Sequence, residues 1–157
     1  YIIQADQKDP YKIIEPSNAP VTEMGWEIYP KGYFDILTQL NNQYQLPPIY
    51  LTESGAAMPD ILVDGEVMDI DRIDYLQDHL CAVDQAIKMG VDIQSYFAWS
   101  LMDNFEWSHG YTKRFGLVYV DYDNQQRTIK QSGLAFREFI ADRKHDVETD
   151  FGDYDAK

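Results

Sequence analysis

One cysteine, Cys81, is the only thiol in 157 residues. No disulfide can form within the chain, and its place beside an apolar-periodic position of a predicted helix marks it as a buried small hydrophobe. Basic residues are scarce too: 13 Lys and Arg face 27 Asp and Glu, a formal charge of −14. That balance repels phosphate backbones and anionic bilayers, so neither nucleic acid nor membrane is an expected partner. No run of about 18 apolar residues occurs, and no basic segment leads into a short apolar one, so neither a membrane span nor a signal peptide is visible. The sequence opens at Tyr1 and has no Met before Met24, so upstream sequence is expected, with the cytoplasm as the default location. His79 and His109 lack paired-ligand spacing, and no phosphate-cradling glycine loop or Ser-His-Asp set is legible, so no metal and no cofactor are expected.

What is present is apolar and aromatic: 45% hydrophobic residues, 14% aromatic, enough for a globular core. Residues 1–29, with Pro10, Pro16 and Pro20, read as a surface loop ending near Gly25-Trp26. From Pro30, Tyr33, Phe34, Leu37, Leu40 and Tyr44 recur at helical spacing until Pro47-Pro48. Ile49-Tyr50-Leu51-Thr52 is a short β-rich run, predicted as a buried strand that delivers Glu53 at its C-terminal end. Ile70, Ile73, Leu76, Leu80, Val83 and Ile87 predict a second helix over 69–89, capped by Asp69 or Asp71 and closed by Gly90. Val91 to Trp99 is the next strand, then a long loop, then Phe115–Tyr122, Arg127–Ile129 and a last helix over 131–143, with an acidic tail over 144–157.

Helix, strand, loop, helix, strand, loop, helix over 30–143 is the repeat of a parallel α/β fold. Two central strands leave an unpaired edge on each side, so more βα units are expected from elsewhere. Loops at the C-terminal ends of parallel strands are where barrels of this class place their chemistry, and both loops carry acids. The first gives Glu53, the second Asp103 and Glu106 among Trp99, Phe105, Trp107, His109 and Tyr111. A carboxylate at a buried strand end is either used or paired, for Glu53 with an Arg at the rim. Trp99 and Trp107 around Glu106 suit a sugar, whose C–H faces stack on rings while its hydroxyls need acceptors. Composition alone favours ordinary core packing for those aromatics.

Four segments carry a resemblance: Met24–Pro30 (MGWEIYP), Tyr50–Gly55 (YLTESG), Arg72–Leu80 (RIDYLQDHL) and Ala98–Tyr122 (AWSLMDNFEWSHGYTKRFGLVYVDY). Together, and in order from about residue 21 to 141, they resemble the C-terminal third of family 1 glycoside hydrolases, the β-glucosidase and β-galactosidase group. The resemblance implies the last two strands and their helices of a (β/α)8 barrel belonging to a retaining exo-β-glycosidase. It implies that Glu53 is the nucleophile, Trp99 the platform under the glycone, Glu106 the acceptor of its O4 and O6 hydroxyls and Trp107 the donor to O3, with Phe115 lining the pocket. The implied partners are a β-glucoside or related sugar and the remaining N-terminal part of the barrel.

Retaining hydrolysis needs a second carboxyl about 5–5.5 Å from the nucleophile as acid and base. In the family it lies in an Asn-Glu-Pro type motif on an earlier strand, and no Asn-Glu-Pro occurs here; Glu15-Pro16 has the wrong context. The chain alone is therefore expected to be inactive, and a stable non-catalytic fragment or carbohydrate-binding remnant is the competing reading. Two positions depart from the family pattern: Ser54 follows the nucleophile where Asn is usual, and Ala135-Phe136 stands for Trp-Tyr. The family's phospho-sugar branch replaces the glutamate at 106 and adds basic residues nearby, which points this sequence to neutral sugars.

Overall fold

The computed structural model describes residues 2–4, 12–14 and 19–150. The first elements are β1 (Ile2–Gln4) and β2 (Lys12–Ile14), an antiparallel pair. The segment expected to be loop thus contains a short ladder, because Ile2, Ile3, Ile13 and Ile14 pair across it without forming a periodic run long enough to stand out. Next come α1 (Pro30–Gln43), with Pro at its first turn, and β3 (Ile49–Ser54). A two-residue hairpin, β4 (Leu62–Val63) with β5 (Glu66–Val67), turns through Asp64 and Gly65 inside what the sequence suggests is plain loop. Then follow α2 (Ile70–Lys88), β6 (Ile93–Ala98), the hairpin of β7 (Val118–Val120) with β8 (Arg127–Ile129), and α3 (Gln131–Asp150). The helix α3 extends past the expected end at 143, and residues 151–157 of the tail lie outside the described residues.

The pair that matters is β3 with β6: parallel, side by side, with Leu51 opposite Tyr96 and Ser54 opposite Ala98. The helices α1 and α2 cover one face, where Leu37, Leu51, Val83, Ala86 and Val91 form the core and Tyr33, Phe34, Ile49, Ile93 and Tyr96 pack around them. The other face is bare. Tyr50 is 60% exposed and Phe97 53%, so the expectation of strands buried on both sides holds for one side only. The reason is geometric: β3 and β6 form a two-stranded sheet among the described residues, and their second face has no layer to meet.

The inner stripe of α2 differs from the periodic apolar set. Of Ile70, Ile73, Leu76, Leu80, Val83 and Ile87, only Leu76 and Val83 are buried, while Arg72 and His79 take inward positions. Asp69 does not cap α2 with its side chain; its carboxylate accepts instead from Arg72, the Ser132 hydroxyl and the Ser132 backbone N–H. Cys81, expected in the core, is exposed. It lines an open cleft of about 380 Å³ between α2 and α3 beside Leu76, Phe136 and Phe139, because the core stripe of α2 runs through Ala82, Val83 and Ala86.

Candidate active site

The C-terminal ends of β3 and β6 run together. Trp99 N donates to the Ser54 carbonyl at 2.9 Å, and Gly55 approaches Trp99 so closely that a Cβ on it would sit 1.8 Å from the Trp99 carbonyl oxygen. Only glycine fits there. Past Trp99 the peptide to Ser100 is cis, and the chain folds back so that Ser100 N meets the Phe115 carbonyl at 3.1 Å and Leu117 N meets the Ser100 carbonyl at 2.9 Å. The tip is a single 3₁₀ turn, Trp107–His109, closed by Glu106 N to the Gly110 carbonyl at 2.7 Å.

This folding gathers every site residue expected from the sequence. Glu53, Trp99, Glu106, Trp107 and Phe115 line one cleft of about 250 Å³, together with Gly55 and Trp26. Phe115 is buried at its base, Glu106 half-buried, and Glu53 exposed. The exposure of Glu53 departs from the expected buried strand end and follows from the bare second face of the sheet. Neither Glu53 nor Glu106 has an ion pair or side-chain hydrogen bond among the described residues. Among the described residues no Lys or Arg lines the cleft. Trp107 is 82% exposed and its φ is +35°, a region that bulky residues seldom occupy. Such a conformation costs on the order of 1–3 kcal/mol.

Trp26 is the residue the sequence reading left out of the site. It sits on a turn held by Thr22, whose N–H bonds the Trp26 carbonyl at 2.8 Å and whose hydroxyl accepts from Met24 N at 3.2 Å. The turn is tied to the first rim loop by Glu23 N to the Ala57 carbonyl at 3.0 Å, and the Trp26 ring lies 6.2 Å from Phe115. Its signal was the MGWEIYP segment, which carried resemblance without a role.

Asp103, the third acid of these loops, is not in the cleft. It is buried and accepts from Lys130 at 2.8 Å, Arg114 at 2.6 Å and Gly116 N at 2.9 Å. Lys130 also binds Asp60, which takes Arg72 through both guanidinium nitrogens at 2.7 and 2.9 Å, and Arg72 returns to Asp69 and to the Arg114 carbonyl at 2.8 Å. Burial opposes the charge of Arg72, and its bonds to Asp60 and Asp69 outweigh that, leaving its pKa above the ordinary value. Three carboxylates thus face three cations in one connected network.

Next to Glu53, an irregularity in the β3–β6 register between Leu51 and Ser54 interrupts the alternation of β3, so that Ser54 is buried as Leu51 is while Glu53 is exposed. The Tyr96 hydroxyl donates to Ser54 Oγ at 2.9 Å, and burial pushes the Tyr96 phenol up to about 12, with the bond to Ser54 acting against it. Burial likewise raises Tyr33 and Tyr75, so all three phenols stay protonated around Ser54. His79 is pushed below its ordinary pKa by burial, is stacked on Tyr75 at 3.9 Å, and as neutral imidazole donates from Nδ1 to the Tyr75 carbonyl at 2.7 Å. Among the described residues no cluster of His, Cys, Asp and Glu could hold a metal ion.

The family model described as glycosyl hydrolase family 1 matches residues 2–145. A bifunctional β-D-glucosidase/β-D-fucosidase of Bifidobacterium breve is 53% identical over 132 residues, covering 81% of this chain and 29% of that one. A 6-phospho-β-galactosidase of Streptococcus pneumoniae is 45% identical over 127 residues, covering 78% and 27%. Among solved structures, a β-glucosidase from Thermotoga maritima in complex with cyclophellitol superposes with a TM-score of 0.84 at 44% identity, over 87% of this chain and 31% of that one. The chain spans less than a third of the length of these relatives, as the last strands and helices of a (β/α)8 barrel do. It belongs to glycosyl hydrolase family 1.

Proposed function

We propose that this chain is the C-terminal part of a retaining exo-β-glycosidase that removes terminal β-linked glucose, with Glu53 as nucleophile. The observation that carries the reading is the joint lining of one cleft by Glu53, which has no side-chain partner among the described residues, a second carboxylate at Glu106, and the indoles of Trp99 and Trp107. Glu53 attacks the anomeric carbon, and the aglycone oxygen leaves as it takes a proton. Water then adds to the same carbon, returning the carboxylate and retaining the configuration. In this role Trp99 stacks under the glycone, Glu106 accepts from O4 and O6, Trp107 donates to O3, and Phe115 with Trp26 closes the apolar side.

The relatives by themselves do not separate neutral from phosphorylated sugars, since a 6-phospho-β-galactosidase is among them. The lining does favour one: two carboxylates and no cation repel a phosphate and suit neutral hydroxyls. The acid/base carboxyl belongs, in this reading, to the upstream part of the barrel, which also covers the bare face at Tyr50 and Phe97. The isolated 157-residue chain is accordingly inactive and at most binds sugar. No cofactor takes part.

The test uses the complete barrel. Glu53→Ala lowers kcat on an aryl β-glucoside by on the order of 10⁴-fold or more, and added azide restores turnover as the inverted glycosyl azide. Activity of Glu53→Ala close to that of the parent, without azide, contradicts the assignment. Turnover by the pure 157-residue chain contradicts its proposed dependence on the upstream part.

A further inference from the structure

Glu106 and Trp107 sit on a loop with little regular structure to hold them. Between β6 and β7 there is one three-residue turn, Trp107–His109, and the isolated bridges Met102–Val118 and Glu106–Gly110. Backbone bonds such as Ser100 N to the Phe115 carbonyl close its base, and one buried side chain, Asp103, binds both of its limbs. The Asp103 carboxylate receives Lys130 Nζ and Gly116 N on one oxygen and Arg114 Nη1 on the other, with Val120 N at 3.4 Å as a fourth donor. It therefore ties down the rising limb of the loop and the falling limb at once. Gly116 is pressed so close that a Cβ there would lie 2.1 Å from Asp103 N.

Lys130 then connects this anchor to the other rim. Its side chain is fully buried between Asp103, three residues before Glu106, and Asp60, seven residues after Glu53. A buried lysine is costly to desolvate, and hydrophobic residues of similar volume generally serve stability as well or better. Geometry is what such a group supplies that a leucine cannot: a fixed point shared by the two rim loops.

We infer that Lys130 and Asp103 are positioning residues, setting the sugar-holding loop of Glu106 and Trp107 at a fixed distance from Glu53. The role in turnover rests on the glycosidase reading; the role in ordering the loop does not.

Hydrogen exchange on the complete barrel tests the ordering role. Lys130→Met/Asp103→Asn removes one charge of each sign, so the remaining network stays neutral. In it, amides of residues 100–117 are expected to lose protection about tenfold or more while those of α2 keep theirs. Unchanged protection in 100–117 overturns the inference. Should the double variant unfold, Asp103→Glu serves alone: it keeps every charge and displaces the carboxylate by one methylene. A positional role lowers loop protection in it, whereas a role through charge alone leaves protection at the parent level and overturns the inference. In the complete barrel, Asp103→Glu is expected to lower kcat/KM by about 100-fold, the scale of a misplacement near 1 Å, and an unchanged kcat/KM overturns the role in turnover. Failure of the glycosidase reading is visible separately, as a parent barrel that cleaves no β-glycoside.

Discussion

Five of the carboxylates at the end of β3 and on the segments that follow β3 and β6 fall into two groups with opposite treatment. Asp60, Asp69 and Asp103 are buried and held by Arg72, Arg114 and Lys130. Glu53 and Glu106 share the cleft and have no side-chain partner among the described residues. The contrast teaches how the two roles divide. A paired buried acid has spent its lone pairs on fixing the backbone, and an acid left without a partner beside indole faces is free to meet a ligand. Position in sequence does not separate them, since Asp103 and Glu106 are three residues apart.

Breaking the buried group should show the largest effect on stability. Lys130→Met leaves Asp60 and Asp103 short of a cation in the interior, and urea denaturation is expected to show a loss of about 3–5 kcal/mol. The double variant Lys130→Met/Asp103→Asn should lose clearly less than the two single changes summed. Gly55→Ala strikes the seam between the groups, where the new methyl meets the Trp99 carbonyl, and should cost about 2–3 kcal/mol by the same measurement.

A smaller effect comes from His79 behind the site. Its folded pKa is depressed, so the unfolded chain takes up the proton more readily. The associated stability is complete above about pH 6.5 and is lost as pH falls through the folded value. Denaturation midpoints compared between pH 7 and pH 5 should fall more in the parent than in His79→Gln. The smallest effect sharpens the comparison from the open side. Trp107→Ala, at an 82% exposed position, should change stability by no more than about 0.5 kcal/mol. The same change in the complete barrel should raise KM for a β-glucoside.

The α/β order and the parallel β3–β6 pair were legible because periodic helices and short β-branched runs alternate there with clear Pro and Gly boundaries. The five residues expected at the site lie in the Tyr50–Gly55 and Ala98–Tyr122 segments, and the structure brings them to one cleft. The inner face of α2 was not legible. A pattern reader places Ile70 and Ile87 inside, but Ile70 is 49% exposed and Arg72 only 2%, because the guanidinium has buried carboxylates to meet from residues 60 and 69. Those partners are set by tertiary contact and leave no periodic trace. The β1–β2 and β4–β5 pairs were missed for a related reason: strands of two or three residues are too short to show alternation. Cys81 was misplaced by its hydrophobic neighbours, and Trp26 was overlooked because its approach to Phe115 joins residues far apart in sequence.

The most direct test of Glu53 as the unpaired, reactive acid is covalent capture. The complete barrel is incubated with a 2-deoxy-2-fluoro-β-glucoside bearing a good leaving group, digested, and mapped by mass spectrometry. The expected result is one fluoroglucosyl ester, on the peptide containing Tyr50–Gly55 and localised to Glu53. An ester on Glu106, or on a carboxylate outside this segment, would contradict the division between held and available acids.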